Sequence, residues 1–317
     1  MTHFRPAAAV ACMLVAGSHG ALTAQSAGAS GAARGAVTDH VIVISIDGLR
    51  PDAVTPVHAR VLSRLMNEGA YAPAARTVSP SRTLPSHTSM LTGVPPSVHG
   101  ITWNSDRTAE HGAVETPTVF GLAKRHGFTT AAFFSKAKLR HLEQPGTLDH
   151  AQAPAGLAVL SAAETVEQAV RYMRFRRPNL LFVHLAEPDA AGHSVGWNSF
   201  VYRWAVRRSD GAVGRILATA DEVYGAGGYT VIVTADHGGS GRDHGADTDD
   251  DMEIPWIAWG AGVRAAGAFE APVNTMDTAA TVLWLLGVDA PANLVGRPVV
   301  AAYTAAARQA AADAGGP

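Results

Sequence analysis

The chain has 317 residues, with 25 Lys plus Arg against 27 Asp plus Glu and a formal charge of -2, so neither sign is in excess to coat a polyanion. Hydrophobic residues make up 47% and charged ones 16%, which supplies a core and excludes a highly charged, disordered chain. The single cysteine excludes an internal disulfide framework and any cysteine-based zinc site.

Residues 1–24 read as a secretory signal: Arg5 precedes an apolar run from Ala7 to Gly17, followed by small and polar residues and a cleavage position after Ala24. The run is shorter than the roughly 20 apolar residues that a bilayer span needs. No later stretch qualifies, so no transmembrane segment is expected and the mature protein reads as exported, periplasmic or secreted. Residues 25–38 are expected to form a flexible mature N-terminus, 39–303 one catalytic domain, and 304–317 a tail with little to bury.

From His40 onward, short β-branched runs alternate with longer helical patterns, which predicts an α/β domain with a mostly parallel sheet. Strands are expected over 41–46, 129–134, 180–185, 229–234 and 254–259, and helices over 56–68, 118–125, 162–174, 201–222 and 275–286. In the fourth helix Val206, Val213, Ile216 and Leu217 recur at helical spacing and mark a packing face.

Three of these strands run into SIDGLRPDA, HLAEPDAAGH and VTADHGGSGRDHG. Ligand sites in open parallel sheets gather outside the carboxyl ends of the strands, so the three turns are expected to face one crevice. Asp47 alone would pass for a turn residue. The set is more specific: Asp189 and His193 lie four residues apart, Asp236 and His237 are adjacent, and His244 follows a glycine-rich bend. Oxygen and imidazole donors without sulfur favour zinc, manganese or iron, and histidine argues against calcium.

The segment TVSPSRTLPSHTSMLTG supplies hydroxyls. Thr83 precedes Leu84-Pro85 at the start of an apparent helix, where proline is favoured and free N–H groups attract anions. A nearby metal lowers the pKa of a bound oxygen by several units, which makes Thr83 the candidate nucleophile, with Ser79 and Ser81 as rivals.

Through IDGLRPD at 46–52, RTLPSHTSMLTGVPPSVHGITWN at 82–104, AEPDAAGHSVG at 186–196 and TADHGGSGRDHG at 234–245, the chain resembles the type I phosphodiesterase and nucleotide pyrophosphatase branch of the alkaline phosphatase superfamily. The resemblance implies a three-layer α/β/α sandwich with a mostly parallel central sheet. It also implies two zinc ions, or manganese or iron in their place: Asp47, Thr83, Asp236 and His237 would hold one, and Asp189, His193 and His244 the other. Thr83 would be the covalent nucleophile, and Asn104 in GITWN would donate its amide to a phosphoryl oxygen. The implied activity is hydrolysis of phosphate diesters through a phosphothreonine, on a small phosphate ester or a nucleotide. A phosphomonoesterase or phosphonate hydrolase on the same scaffold is the nearer alternative, and a catalytically silent phosphate-binding protein the more distant one.

Two divalent ions set against three aspartates and a Thr83 alkoxide leave no net charge, which suits a monoanionic diester better than a dianionic monoester. Arg82 and Arg242 adjoin the motifs and are the nearest cations in sequence. The nucleophile segment has no cysteine, which disfavours a sulfatase. The chain is short for such a family, and 135–154 reads as the remnant of a substrate-shaping insertion.

Overall fold

The computed structural model describes residues 1–3, 35–156, 158–265 and 267–314. The export signal expected over 1–24 falls almost wholly outside them, as do residues 25–34. The described residues from Gly35 onward belong to one compact unit. Among the described residues its sheet has nine strands: β1 Val41–Ile46, β2 Ala70–Arg76, β3 Thr130–Phe133, β4 His150–Gln152, β5 Leu180–Leu185, β6 Thr230–Thr234, β7 Glu253–Gly260, β8 Gly267–Ala268 and β9 Val273–Asn274. Their order is β4-β3-β5-β1-β6-β7-β2-β8, with β9 also paired to β2. The half from β4 to β6 is parallel, and β7 runs antiparallel to both β6 and β2.

The three central strands, VIVISI, LLFVHL and TVIVT, are buried along their whole length, as continuous apolar runs covered on both faces should be. Two sets of helices provide the cover. Arg60–Glu68, Ala162–Arg176, Glu187–Val195 and Phe200–Tyr224 pack together, and Thr83–Thr92, Val119–Arg125 and Asp277–Leu285 form the second set. The mostly parallel α/β sandwich implied by the motifs is therefore present. The long helix Phe200–Tyr224 starts at Ser199, whose hydroxyl accepts from Tyr202 N, and it buries Val206, Val213, Ile216 and Leu217, the face read from spacing. Ala162–Arg176 opens with a reciprocal capping box between Ser161 and Glu164.

Several expectations need correction. The helix expected over 56–68 begins only at Arg60, and that expected over 275–286 is Asp277–Leu285. Strand β2, AYAPAAR, was not anticipated because alanine and Pro73 are poor strand formers; it forms by pairing with β7, with an irregularity between Ala72 and Ala75 around the proline. The stretch expected to fray after residue 303 contains the helix Ala305–Ala314, capped by Thr304 Oγ1 accepting from Ala307 N and anchored by the buried Ala307.

Candidate metal centre and nucleophile

Strands β5, β1 and β6 are adjacent and parallel, with Ile46 level with Leu185 and Ser45 level with Thr234. Their carboxyl ends therefore finish side by side and deliver Asp47, Asp189 and the Asp236-His237 pair to one place. The backbone fastens the turns together: Asp189 N donates to Asp47 O at 3.0 Å, and Gly48 N donates to Asp236 Oδ1 at 3.1 Å. Gly48 has φ +70°, and a Cβ there would sit 2.9 Å from Asp189 Cα, so the position requires glycine. Asp189 and His193 share a face of Glu187–Val195 at i and i+4. Thr83 opens the wholly buried helix Thr83–Thr92, with its Oγ1 3.4 Å from His237 Nε2.

The three histidines are oriented alike. Nδ1 of His193 lies 3.0 Å from Arg242 O, that of His237 2.8 Å from Gly238 O, and that of His244 2.7 Å from Ser81 O. A carbonyl only accepts, so each Nδ1–H donates and each Nε2 is left as a lone pair facing the aspartates. His193 Nε2 is 3.3 Å and His244 Nε2 3.6 Å from Asp189 Oδ1, while His237 Nε2 is 3.4 Å from Asp47 Oδ1 and 3.3 Å from Asp236 Oδ2. Those three carboxylate oxygens are buried without a hydrogen-bond partner. Lone pairs converging on lone pairs in a buried site are unfavourable unless a cation lies between them, so the donor set fits divalent metal ions.

The residues fall into two groups with donor atoms within 4.8 Å of one another: Asp189, His193 and His244, and Asp47, Asp189 and His237. The first is the trio implied by the motifs. In the second, Asp189 stands with Asp47 and His237, while Asp236 and Thr83 adjoin through His237.

Four further residues, absent from the sequence reading, support this cluster. The buried Lys136 places Nζ 2.7 Å from Asp47 Oδ2 and also pairs with Asp189 Oδ2. His184 accepts from Ser135 N at Nδ1, so its Nε2–H donates to Asp47 Oδ2 at 2.9 Å. Both aspartates thus have Oδ2 anchored and Oδ1 free. His87 links Thr83 O to Ser45 Oγ, each at 2.8 Å, tying the helix Thr83–Thr92 to β1. Lys138 Nζ lies 3.1 Å from Asn104 Oδ1.

Electrostatics point the same way. Burial pushes the Asp47 carboxyl up, but Lys136 and then His184 outweigh it and hold it well below the usual range. Burial, then the charge of Asp47, pushes Asp236 well above that range. Burial and the neighbouring His244, stacked at 3.6 Å between ring centroids, bring His237 down to about 3. Three carboxylates share one ammonium, and the shortfall of positive charge falls on Asp236.

The rival hydroxyls separate from Thr83. Ser81 donates to Ala246 O and accepts from His244 through its carbonyl, so it braces the histidine loop, and Ser79 is exposed. Arg82 and Arg242 are exposed as well. Asn104 Oδ1 accepts from both Leu84 N and Lys138, which leaves its Nδ2 as a donor next to the start of the Thr83 helix. A cavity of about 370 Å³ adjoins this corner, lined by Asn104, Asp106, Lys136, Lys138, Ala158 and Val159 among others. The 135–154 stretch supplies both lysines and β4.

A sequence profile described as type I phosphodiesterase / nucleotide pyrophosphatase matches residues 41–269. Human ectonucleotide pyrophosphatase/phosphodiesterase family member 1 is 26% identical over 221 residues, covering 63% of this chain and 24% of that protein. The chain spans less than a third of the length of several curated relatives that it matches. Murine ectonucleotide pyrophosphatase/phosphodiesterase 5, solved as an inactive variant with AMP, superposes with a TM-score of 0.67 at 17% identity, covering 80% of this chain and 96% of that one. The alkaline phosphatase PafA gives 0.69 at 14% identity, covering 84% and 99%. At such identities the two solved structures share the fold.

Proposed function

Because the chain belongs to the type I phosphodiesterase and nucleotide pyrophosphatase family, we propose that it is a two-metal hydrolase of phosphate esters, in the first place diesters, with Thr83 as covalent nucleophile. Zinc is the metal favoured by the donor set, with manganese or iron as substitutes. The observation that supports this most is the convergence of three unpartnered carboxylate oxygens and three oriented Nε2 atoms beside Thr83 Oγ1.

In this reading Asp47, Asp236 and His237, with Thr83, hold one ion, and Asp189, His193 and His244 the other. When bound, the ions supply positive charge for the attacking and leaving oxygens of an in-line displacement. The residues of the chain do the rest. His184 and Lys136 keep Oδ1 of the two aspartates turned inward. His87 holds Thr83 through its carbonyl. Asn104 Nδ2 donates to a non-bridging phosphoryl oxygen, and the amino-terminal end of the helix Thr83–Thr92 adds a favourable dipole. Thr83 Oγ1 forms the bond to phosphorus as the ester P–O bond breaks and the alcohol departs with a proton, and water then forms a new P–O bond as the Oγ1–P bond of the phosphothreonine breaks.

Assay of the zinc-loaded protein on bis(4-nitrophenyl) phosphate and 4-nitrophenyl phosphate tests the proposal, which fails if metal is bound and neither ester is cleaved. Thr83→Ala is expected to keep its metal and to lose turnover by about three orders of magnitude or more. Unchanged turnover would reassign the nucleophile, and a phosphorylated Thr83 trapped with substrate would exclude a silent binding protein. We also propose export, on the strength of the Arg5 and Ala7 to Gly17 pattern; N-terminal sequencing of the mature protein tests it.

A further inference from the structure

The helix Phe200–Tyr224 buries one face in the core, and a surface helix normally presents polar side chains opposite that face. At its start this helix does not. Phe200 is 85% and Trp204 51% exposed, one turn apart, and Val201 is exposed beside them. The Trp204 ring is held in place: the Arg208 guanidinium lies over it, 4.8 Å from the centroid, and is itself paired with Glu187 at 3.0 Å.

The charges around these side chains are of one sign. Between Phe200 and Leu217 the exposed positions carry four arginines and no acid. Arg208 and Arg215 are neutralised by Glu187 and Glu167, whereas Arg203 and Arg207 make no ion pair among the described residues. Arg207 instead donates to Val57 O at 2.8 Å, which adds the exposed Val57 to the patch. Two uncompensated cations therefore flank an apolar surface in a chain whose formal charge is -2. The helix carries the chain back from the carboxyl end of β5 to the amino end of β6, so its start lies at the end of the sandwich that holds Asp189 and His193.

We propose that this face docks the protein peripherally on an anionic lipid surface. Phe200 and Trp204 enter the boundary between headgroups and acyl chains, and Arg203 and Arg207 pair with anionic headgroups. Phe200 protrudes, as an inserting side chain must, and aromatic rings flanked by arginines suit a membrane interface, where the ring is buried and the charge stays wet. A second copy of the chain fits less well, because a two-fold axis through the patch would set Arg203 and Arg207 against the same arginines. The inference does not depend on the hydrolase reading.

Flotation of the full chain with vesicles of phosphatidylcholine, alone or mixed with phosphatidylglycerol, tests it. The protein is expected to bind the mixed vesicles more tightly than the neutral ones, and less so at about 1 M salt. Phe200→Ala combined with Trp204→Ala should weaken binding by about tenfold or more, and Arg203→Gln combined with Arg207→Gln by about fivefold per arginine. Circular dichroism should not change, because all four side chains are exposed. Every variant keeps the same N-terminus, so any share of binding due to residues 1–24 is common to all. Lipids brominated on their acyl chains give a local readout: they should quench tryptophan emission in the wild type and lose most of that effect in Trp204→Phe. Equal binding to neutral and mixed vesicles, variants that bind like the wild type, or quenching that persists in Trp204→Phe overturns the inference. So does a wild-type dimer in light scattering that Phe200→Ala with Trp204→Ala converts to a monomer, which would assign the patch to a second copy. Each of these outcomes is read without reference to ester cleavage, so either proposal can fail alone.

Discussion

At the scale of single residues, the arrangement depends on which oxygen of each aspartate is left free. Asp47 Oδ2 is held by Lys136 and by the Nε2–H of His184, whose tautomer is set by Ser135 N donating to Nδ1. A partner behind a ligand typically changes metal affinity 10- to 100-fold. His184→Phe is accordingly expected to weaken one of two metal-binding steps by about that factor with the fold retained, and His184→Gln, which keeps a donor near the Nε2 position, to recover most of it. Titration of the metal-free protein with zinc, read beside circular dichroism, checks this; two unaltered binding steps in His184→Phe would remove His184 from the site. The candidate ligands were legible because they follow their strands in acidic and histidine-bearing turns. His184 was not, because it sits inside the apolar run LLFVHL, where its polarity in a strand buried on both faces was the available signal. Lys136 and Lys138 follow β3, a fourth strand end next to β5, and went unread because SKAK contains no metal-ligating residue.

At the scale of elements, the glycine-rich loop carrying His244 has little hydrophobic anchoring of its own and is held from the following segment. Gly238 N and Gly239 N donate to the carbonyls of Asp251 and Asp250, and the Asp251 carboxylate accepts from Ala246 N at 2.9 Å and Ser240 Oγ at 3.3 Å. Arg50 adds an ion pair to Asp250 and a bond to Gly239 O. In sequence DTDDDME looks like a solvated acidic run, and only the fold shows that Asp251 turns inward. Asp251→Ala leaves the Ala246 amide and the Ser240 hydroxyl without this acceptor, so thermal unfolding should show a loss of about 1–3 kcal/mol. Because His244 rides on this loop, zinc held with Asp189 and His193 should weaken more than zinc held with Asp47. Equal weakening of both steps would mean that the loop does not position His244.

At the scale of the molecule, the sequence pattern was sufficient for the inner strands of the parallel half, β1, β3, β5 and β6, where β-branched strands alternate with helices, and insufficient for both edges: the three-residue β4, within 135–154, went unread, and so did most of the opposite edge. There β2, β8 and β9 are short or built from alanine, glycine and proline, and form only because β7 and β2 offer partners. The same parallel half makes the candidate metal centre a property of the whole fold, since it joins the ends of β1, β5 and β6 to Thr83 and to the His244 loop. Without cations, three buried carboxylates balanced by one lysine repel across the middle of the sheet, as the upward push on Asp236 records. Ligands that bind only the folded state stabilise it by about 2.7 kcal/mol per site at a hundredfold excess over Kd. For two sites in a chain of this size, that corresponds to a fall in Tm of roughly 10 °C when a chelator strips the ions, reversed when zinc is restored. Differential scanning calorimetry measures it directly. A Tm indifferent to the chelator would mean that the unpartnered oxygens of Asp47, Asp189 and Asp236 are satisfied by something other than metal, and the two-metal reading would fall with them.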